Sequence, residues 1–243
     1  MVLALLSDLH ANLEALDACL KHARASGATR YAFLGDLVGY GADPQAVIEV
    51  VMRYAAEGAV VVQGNHDAAV GRSAADLNDE AAVVIEWTRN ALPAESRAWL
   101  AALPLCVRDE QICFVHASAE APDRWRYVDD PAAAQRSSNA ANRPYTFSGH
   151  VHDQALYFQS SPEKMASFAP KPGSAVPVAR HRRWLAIAGS VGQPRDGNPA
   201  AAYALFDSVR EILTFHRVPH DHVAAARKVR AAGLPDLTRW DPR

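Results

Sequence analysis

The first third of the chain alternates short apolar runs with helical patterns, and this order constrains the fold more than any other sequence feature. The apolar runs lie at residues 2–6, 31–34 and 59–62, and each is typical of a strand that is covered on both faces. Between them, apolar residues recur at helical spacing over residues 13–23 and again after Pro44. This alternation of three strands with two helices predicts a parallel sheet in an α/β fold. Functional residues are then expected beyond the carboxyl ends of the strands.

The rest of the chain predicts more helices and strands in less regular order. Helices are expected at 80–90, 95–103 and 221–232, and a hairpin at 105–108 and 111–115. Five later strands are predicted, at 146–148, 154–159, 184–188, 202–206 and 211–217. The Pro- and Ser-containing stretch 160–183 is predicted to be a mobile loop. A chain of this length predicts a single domain over residues 1–243.

Charge and apolar content exclude two classes of partner. The chain has 25 Lys and Arg residues against 27 Asp and Glu residues, a formal net charge of −2, and no basic block. This balance predicts neither an extended nucleic-acid surface nor attraction to an anionic membrane. No apolar run approaches the roughly 18 residues that a membrane span needs, and the start lacks the basic region of a signal peptide. We therefore expect a cytoplasmic protein that binds any anionic substrate through a local site.

Five polar clusters follow or flank the predicted strands. They are Asp8-Leu-His10, Gly35-Asp36, Gly64-Asn65-His66-Asp67, His116 and Gly149-His150-Val-His152. Each cluster alone is typical of a turn or a helix cap. Taken together, carboxylate oxygens, imidazole nitrogens and an amide oxygen suit a borderline divalent metal. Their shared position at strand ends therefore predicts a metal site.

Seven of these side chains can hold two ions if Asp36 is shared. One ion would be held by Asp8, His10, Asp36 and His152. The second would be held by Asp36, Asn65, His116 and His150. In extended backbone, residues two apart face the same side, so each of the two pairs 8/10 and 150/152 is predicted to present its ligands in one direction. A shared carboxylate allows a metal separation of about 3.5–4 Å, at which two cations can activate one bridging hydroxide.

Three further residues have predicted roles in proton transfer or substrate binding. His66 follows a predicted ligand and titrates near neutral pH, so we expect it to be the general acid, with a structural histidine as the alternative. Asn12 stands at the start of a predicted helix, where it can donate to a substrate phosphate or cap the helix. Arg195 can contact an anionic substrate or form a structural salt bridge.

The order and spacing of these motifs resemble those of the calcineurin-like metallophosphoesterases, from Val2 to about Pro235. More narrowly, the segments 9–16, 35–41 and 189–197 resemble the small bacterial phosphodiesterase branch. The resemblance implies a four-layer αββα sandwich with two mixed β-sheets flanked by helices. It also implies two divalent metal ions, with manganese as the first expectation and iron, zinc or nickel as alternatives. The implied substrate is a small phosphoester, nucleotides included, and a homo-oligomer is compatible with the sequence.

One departure from the superfamily bears on the substrate. Its phosphoprotein phosphatases carry Gly-Asp-x-x-Asp-Arg-Gly, whose second Asp supports the catalytic histidine and whose Arg grips phosphate. Here Gly39 and Tyr40 stand in those places. A phosphoprotein substrate is therefore disfavoured, and the residue that would orient His66 is missing. Asp67 is its neighbour, but its role is not assigned by the sequence.

Two functions follow from the motifs. The first is hydrolysis of phosphodiester or phosphomonoester bonds through a metal-bridging hydroxide, with His66 as general acid. The alternative is a catalytically silent scaffold of this fold for protein interaction, as in the retromer subunit that the chain also resembles. Because the chain retains His66 and all seven candidate ligands, the sequence favours the enzyme.

Overall fold

The computed structural model describes residues 1–71 and 79–235, with the side chains of 79–81 left out. The helices within this part are α1 (Leu13–Ala25), α2 (Pro44–Ala56), α3 (Asn65–Gly71), α4 (Asp79–Ala91), α5 (Ala94–Ala102), α6 (Pro131–Ala141) and α7 (His222–Ala231). The strands are β1 (Val2–Leu6), β2 (Arg30–Phe33), β3 (Val60–Val61), β4 (Cys106–Arg108), β5 (Ile112–Val115), β6 (Tyr145–Ser148), β7 (Ala155–Ser161), β8 (Lys164–Phe168), β9 (Ala175–Pro177), β10 (Trp184–Ile187), β11 (Ala201–Asp207) and β12 (Ile212–Val218). None of the described helices has both the length and the apolar character needed to cross a bilayer.

The strands form two six-stranded sheets. The first has the order β3-β2-β1-β11-β12-β9 and the second the order β4-β5-β6-β10-β7-β8. In the first sheet β1, β2 and β3 run parallel, whereas β11 is antiparallel to β1. In the second sheet β5, β6 and β10 run parallel, whereas β4 and β7 are antiparallel to their neighbours. Both sheets are therefore mixed, as the resemblance implies.

Strand β1 is buried between two layers and contributes side chains to the core on each of its faces. Its side chains alternate, so that Leu3 and Leu5 pack in the core between the two sheets, while Leu6 belongs to the core cluster that also contains Leu16 of α1. Both faces of β1 are covered, and for this reason its sequence is continuously apolar. On the far side, α6 packs on the second sheet through Ala134. The result is a helix, sheet, sheet, helix sandwich, which confirms the predicted fold class.

The two sheets share one central core. That residues 1–243 form a single domain stays a prediction. Residues 72–78 and 236–243 of that domain lie outside the described part of the chain.

The prediction of a mobile loop at 160–183 is wrong. Strand β7 runs into this stretch, β8 pairs with β7, and β9 pairs with β12. Both β8 and β9 are the outermost strands of their sheets. Edge strands tolerate proline and polar residues, as at Pro177, so they lack the apolar alternation that marks a central strand.

Helices α3 and α6 were not predicted by the pattern of apolar residues. Helix α3 begins on Asn65, inside a polar cluster whose composition is typical of a turn. Helix α6 did have a start signal, because the Asp130 side chain accepts from the Ala133 amide at 2.7 Å and Pro131 is the first helical residue.

Candidate metal centre

The structure brings the predicted ligands into one connected group beyond the carboxyl ends of β1, β2, β5 and β6. Three overlapping sets each hold ligand atoms within 4.8 Å of one another, namely Asp8/His10/His152, His10/Asp36/His66 and Asp36/His116/His150. The seventh predicted ligand joins them, because Asn65 Oδ1 lies 3.1 Å from His116 Nε2. All of these residues except Asn65 are buried.

Asp36 lies between two halves of the group. Its Oδ2 is 3.4 Å from His116 Nε2 on one side and 3.9 Å from His10 Nε2 on the other. Beyond His10, the Nε2 atom of His152 is 3.4 Å from Asp8 Oδ1. One carboxylate can thus contribute to both halves, as the shared-ligand prediction requires.

Backbone carbonyls fix the tautomer of three of the four candidate histidine ligands. Each of the three hydrogen-bonds to a carbonyl: His10 Nδ1 with Val38 O at 3.2 Å, His116 Nδ1 with Leu34 O at 2.7 Å, and His152 Nδ1 with Gln193 O at 2.6 Å. Because a carbonyl only accepts, a proton lies on the bonded nitrogen, and the opposite nitrogen faces the centre, where it can bind a cation when it carries no proton of its own. This is the arrangement that orients histidine ligands toward a metal.

Several lone pairs converge without a proton between them. The Nε2 atoms of His10 and His152 are 3.2 Å apart, although both rings donate through Nδ1. Asp8 Oδ1 and His150 Nε2 are buried and have no hydrogen-bond partner among the described residues. Unpaired buried acceptors are costly, and a cation would satisfy them. The donor set therefore fits divalent metal ions.

Burial keeps most of these rings neutral. It lowers the pKa of His150 and of His152 to about 3, with the charges of His116 and of Arg195, respectively, adding to the effect. Burial and His152 also hold the pKa of His10 well below its usual range. Neutral imidazole is the form that binds a metal, so these three ligands need no deprotonation at neutral pH.

The backbone that carries the ligands is left-handed rather than extended. Five of the seven have positive φ, namely Asp8 at 53°, His10 at 47°, Asp36 at 51°, His150 at 67° and His152 at 73°. The prediction that extended backbone would align each pair is therefore wrong, although the side chains do converge. Such conformations cost about 1–3 kcal/mol each and concentrate at functional sites. The loops support one another, because the amides of Asp8 and His10 donate to the carbonyls of Gly35 and Asp36.

Asp67 holds two ligand-bearing loops together, and among the described residues its carboxylate hydrogen-bonds to backbone amides rather than to His66. Its Oδ1 accepts from the amides of Leu37 at 2.9 Å and Val38 at 3.3 Å, and its Oδ2 accepts from Gly64 at 2.9 Å. The role that the sequence left open is thus positioning of the backbone around Asp36.

Replacing Asp67 with asparagine should destabilise the fold by about 1–3 kcal/mol, because an amide nitrogen would face at least one buried backbone N–H. Urea unfolding of metal-free protein measures this, since chelation removes any contribution from bound ions. The matched control is Asp207→Asn, whose Oδ1 accepts from two amides in an exposed turn. It should cost less than about 1 kcal/mol. Equal losses in the two variants would contradict the positioning role.

His66 borders the ligand group and is held by rings rather than by a carboxylate. Its Nε2 lies 4.0 Å from Asp36 Oδ2, and its ring centroid is 4.7 Å from that of Tyr40 and 5.0 Å from that of His10. Nδ1 is buried without a hydrogen-bond partner among the described residues. A Cβ at Gly39, whose φ is +90°, would lie only 2.4 Å from Nδ1. The His66 ring thus occupies space that a side chain at position 39 would need.

Asn12 has the capping role that the sequence offered as one of two alternatives. Its Oδ1 accepts from the Ala15 amide at 3.1 Å, and its Nδ2 donates to the Gly192 carbonyl at 3.1 Å. An amide nitrogen carries two protons, so capping is compatible with a phosphate contact. That contact stays a prediction.

Arg195 lies beside the candidate centre, on the side of His10. It donates to Gln193 Oε1 at 3.2 Å, and its charge contributes to the lowered pKa of His10, His66 and His152 and opposes the raised pKa of Tyr40. None of the ion pairs formed among the described residues involves Arg195. Among the described residues, Arg195 therefore does not form the structural salt bridge that was the alternative to a substrate contact.

Known proteins share both the sequence and the fold. The model of the calcineurin-like phosphoesterase superfamily domain matches residues 1–211. A protein of Methanocaldococcus jannaschii described as uncharacterized is 32% identical over 241 residues, which are 97% of this chain and 94% of that protein.

Two crystal structures are similar over nearly the whole chain. A metallophosphoesterase from Sphaerobacter thermophilus has a TM-score of 0.86 and 33% identity, covering 97% of this chain and 96% of that one. A hypothetical protein of Pyrococcus horikoshii has a TM-score of 0.77 and 19% identity, covering 96% and 94%, and supports the fold alone. Sequence, fold and site agree, and the chain belongs to the calcineurin-like metallophosphoesterase superfamily.

Proposed function

We propose that the chain hydrolyses phosphoester bonds of small substrates at a centre of two divalent cations. Asp8, His10, Asp36 and His152 would hold one cation, and Asp36, Asn65, His116 and His150 the other. When bound, such a pair lowers the pKa of a shared water, polarises a phosphoryl oxygen and offsets the charge of in-line displacement. Manganese is the first cation to test, followed by iron, zinc and nickel.

The observation that carries this proposal is the common orientation of three histidines, His10, His116 and His152. Each donates one ring proton to a backbone carbonyl and turns its other nitrogen toward Asp8 or Asp36 or toward another ligand histidine. A structural histidine cluster would instead pair each donor with an acceptor inside the cluster. Membership in the metallophosphoesterase superfamily supports the same reading.

His66 would act as the general acid. Its Nε2 faces Asp36 and the candidate centre, so a proton there can reach the leaving oxygen of a substrate phosphate. Burial lowers the pKa of His66, and the Asp36 carboxylate opposes that shift. The negative charge of a bound phosphate would favour the protonated ring further.

Residues 39 and 40 favour a small phosphoester over a phosphoprotein. Position 39 has no room for the supporting carboxylate, and position 40 supplies a tyrosine rather than a phosphate-gripping arginine. Arg195, whose charge lowers the pKa of His152 and opposes the raised pKa of Tyr40, would supply the positive charge instead. Phosphodiesters are our first expectation and phosphomonoesters the second.

Hydrolysis of bis(p-nitrophenyl) phosphate and p-nitrophenyl phosphate by the manganese-loaded protein tests the proposal. Turnover that depends on added metal is expected. The alternative, a silent scaffold, requires that metal-loaded wild type be no faster than metal-free protein on both esters. Less than one equivalent of metal by elemental analysis after reconstitution would also contradict the dinuclear centre.

Metal affinity should rise with pH, because one ligand must lose a proton. Burial alone would lower the pKa of His116, but Asp36 and Asp8 raise it to about 9. At neutral pH the proton therefore competes with the cation, and each unit of pH below 9 should weaken binding by up to about tenfold. Competition with a chromophoric chelator between about pH 6 and pH 8 measures the trend, and calorimetry in two buffers counts the released proton. A pH-independent affinity with no proton release would contradict it.

A further inference from the structure

An exposed aromatic ring lies directly on the candidate metal centre. The Tyr127 ring stacks on the His150 ring with centroids 4.2 Å apart and planes inclined by 23°. Tyr127 nevertheless remains 52% exposed. Beside it, the Trp125 ring meets the ring of His116 edge-on at 5.9 Å. Two aromatic side chains thus border the half of the centre formed by His116 and His150.

The backbone on both sides of Tyr127 is tied to the body of the protein. Val128 is 1% exposed and packs with Ala134 of α6, and its carbonyl accepts from the Tyr157 hydroxyl at 3.4 Å. On the other side, the Arg126 carbonyl accepts from the Ser118 amide at 3.2 Å. Because the backbone on both sides is anchored, the exposed Tyr127 ring is already in place for a ligand. Covering its apolar surface with a ligand is favourable, because that surface now faces water.

The opposite rim has different chemistry. Arg195 and Tyr40 border the half of the centre formed by His10 and His152, because the Tyr40 ring centroid lies 4.7 Å from that of His10 and the charge of Arg195 lowers the pKa of His152. The rim therefore offers a cation and a hydroxyl on one side and flat aromatic surface on the other. A phosphoester that carries a planar ring matches both sides at once.

We propose that Tyr127, with Trp125 beside it, forms a stacking site for a planar aromatic group esterified to the substrate phosphate. The inference rests on the proposed phosphoesterase function and deepens it by naming the substrate class as phosphoesters of a nucleobase-bearing or aryl alcohol. Stacking on a protein aromatic ring tolerates different bases, because every base has a π face. The site thus favours a planar group without selecting one base.

Kinetics with three esters tests the stacking site. Tyr127→Ala should raise KM for a nucleoside phosphoester about tenfold or more relative to its effect on an ethyl phosphoester, with a smaller change in kcat. Tyr127→Phe, which keeps the ring, should restore the wild-type KM. A p-nitrophenyl ester distinguishes the two sources of a planar ring. If Tyr127→Ala raises KM only for the nucleoside ester, the result supports a nucleobase. If it raises KM for both the nucleoside ester and the p-nitrophenyl ester, the result supports any aryl group. Phe168→Ala, at an exposed ring on the edge strand β8, is the matched control.

If Tyr127 only shields His150, the alanine variant should change all three esters equally, and that result would overturn the stacking site. Binding of adenosine 5′-monophosphate, followed by tryptophan fluorescence, gives a readout without turnover. We expect saturable quenching that Tyr127→Ala weakens about tenfold and Trp125→Phe reduces in amplitude. Binding without any hydrolysis would refute the proposed activity alone. Hydrolysis without ring preference would refute the stacking site alone.

Discussion

Replacing Asp36 with asparagine should reduce kcat/KM for any phosphoester by at least about 10³-fold, the upper end of the cost of losing one electrostatic contact. The effect should be large because Asp36 Oδ2 faces both His10 and His116, so its charge serves both halves of the centre. Metal content after reconstitution should fall to one equivalent or less by elemental analysis. The fold should survive, since asparagine keeps an oxygen for the His66 amide that now donates to Asp36 Oδ1 at 2.9 Å.

The control for this variant is Asp17→Asn, which removes an exposed carboxylate from α1 and should leave metal content and turnover unchanged. Full metal loading and near wild-type turnover in the Asp36 variant would refute the shared carboxylate. Circular dichroism of both variants checks that the sandwich is intact.

Replacing His66 with alanine should slow hydrolysis in a way that depends on the leaving group. Positioned acid catalysis is worth about 10²–10⁴-fold, so an alkyl ester, whose alkoxide needs a proton, should lose that much in kcat. A p-nitrophenyl ester, whose leaving group departs readily as an anion, should lose less than about tenfold. Comparing the two esters in the same variant separates proton donation from a structural role, which would slow both alike.

The pH profile and a second variant sharpen this test. A general acid works only when protonated, so wild-type kcat/KM for the alkyl ester should fall as pH rises through the pKa of His66, which burial lowers from its usual value. The alanine variant should lack that limb. Gly39→Ala, whose new Cβ would press on His66 Nδ1, should reproduce the loss for alkyl esters while leaving all seven candidate ligands in place. An unchanged pH limb in the alanine variant would assign the proton to another group.

The sequence predicted which residues meet but not how they are held. Motif order along alternating strands and helices is enough to place Asp8 and Asp36 at one edge, because parallel strands of one sheet end together, but not to bring His116 there from the second sheet. It does not reveal the left-handed backbone of Asp8 and His10, since φ is set by contacts between loops that are distant in sequence. The three amides that bind Asp67 are invisible in the sequence for the same reason.

The edge strands β8 and β9, and the position of the Tyr127 ring beside the candidate centre, could not be predicted from the sequence either. Strands β8 and β9 have only one neighbour each, so burial imposes no clear alternation on them. Tyr127 lies in a loop, where an aromatic residue has no periodic signal that would reveal its contacts. Its stacking on His150 depends on the anchoring of Val128 in the core, which is a long-range packing effect.

Main-chain oxygens, rather than side chains, orient three of the candidate histidine ligands, and this affects how the protein can change over time. A substitution at Leu34, Val38 or Gln193 alters the side chain but leaves the carbonyl in place. Mutational drift at these three positions therefore cannot delete an acceptor, as it could if aspartates held the rings. The orientation of the ligands is inherited with the path of the backbone, so the outer support of the centre should tolerate sequence divergence that the ligands themselves do not.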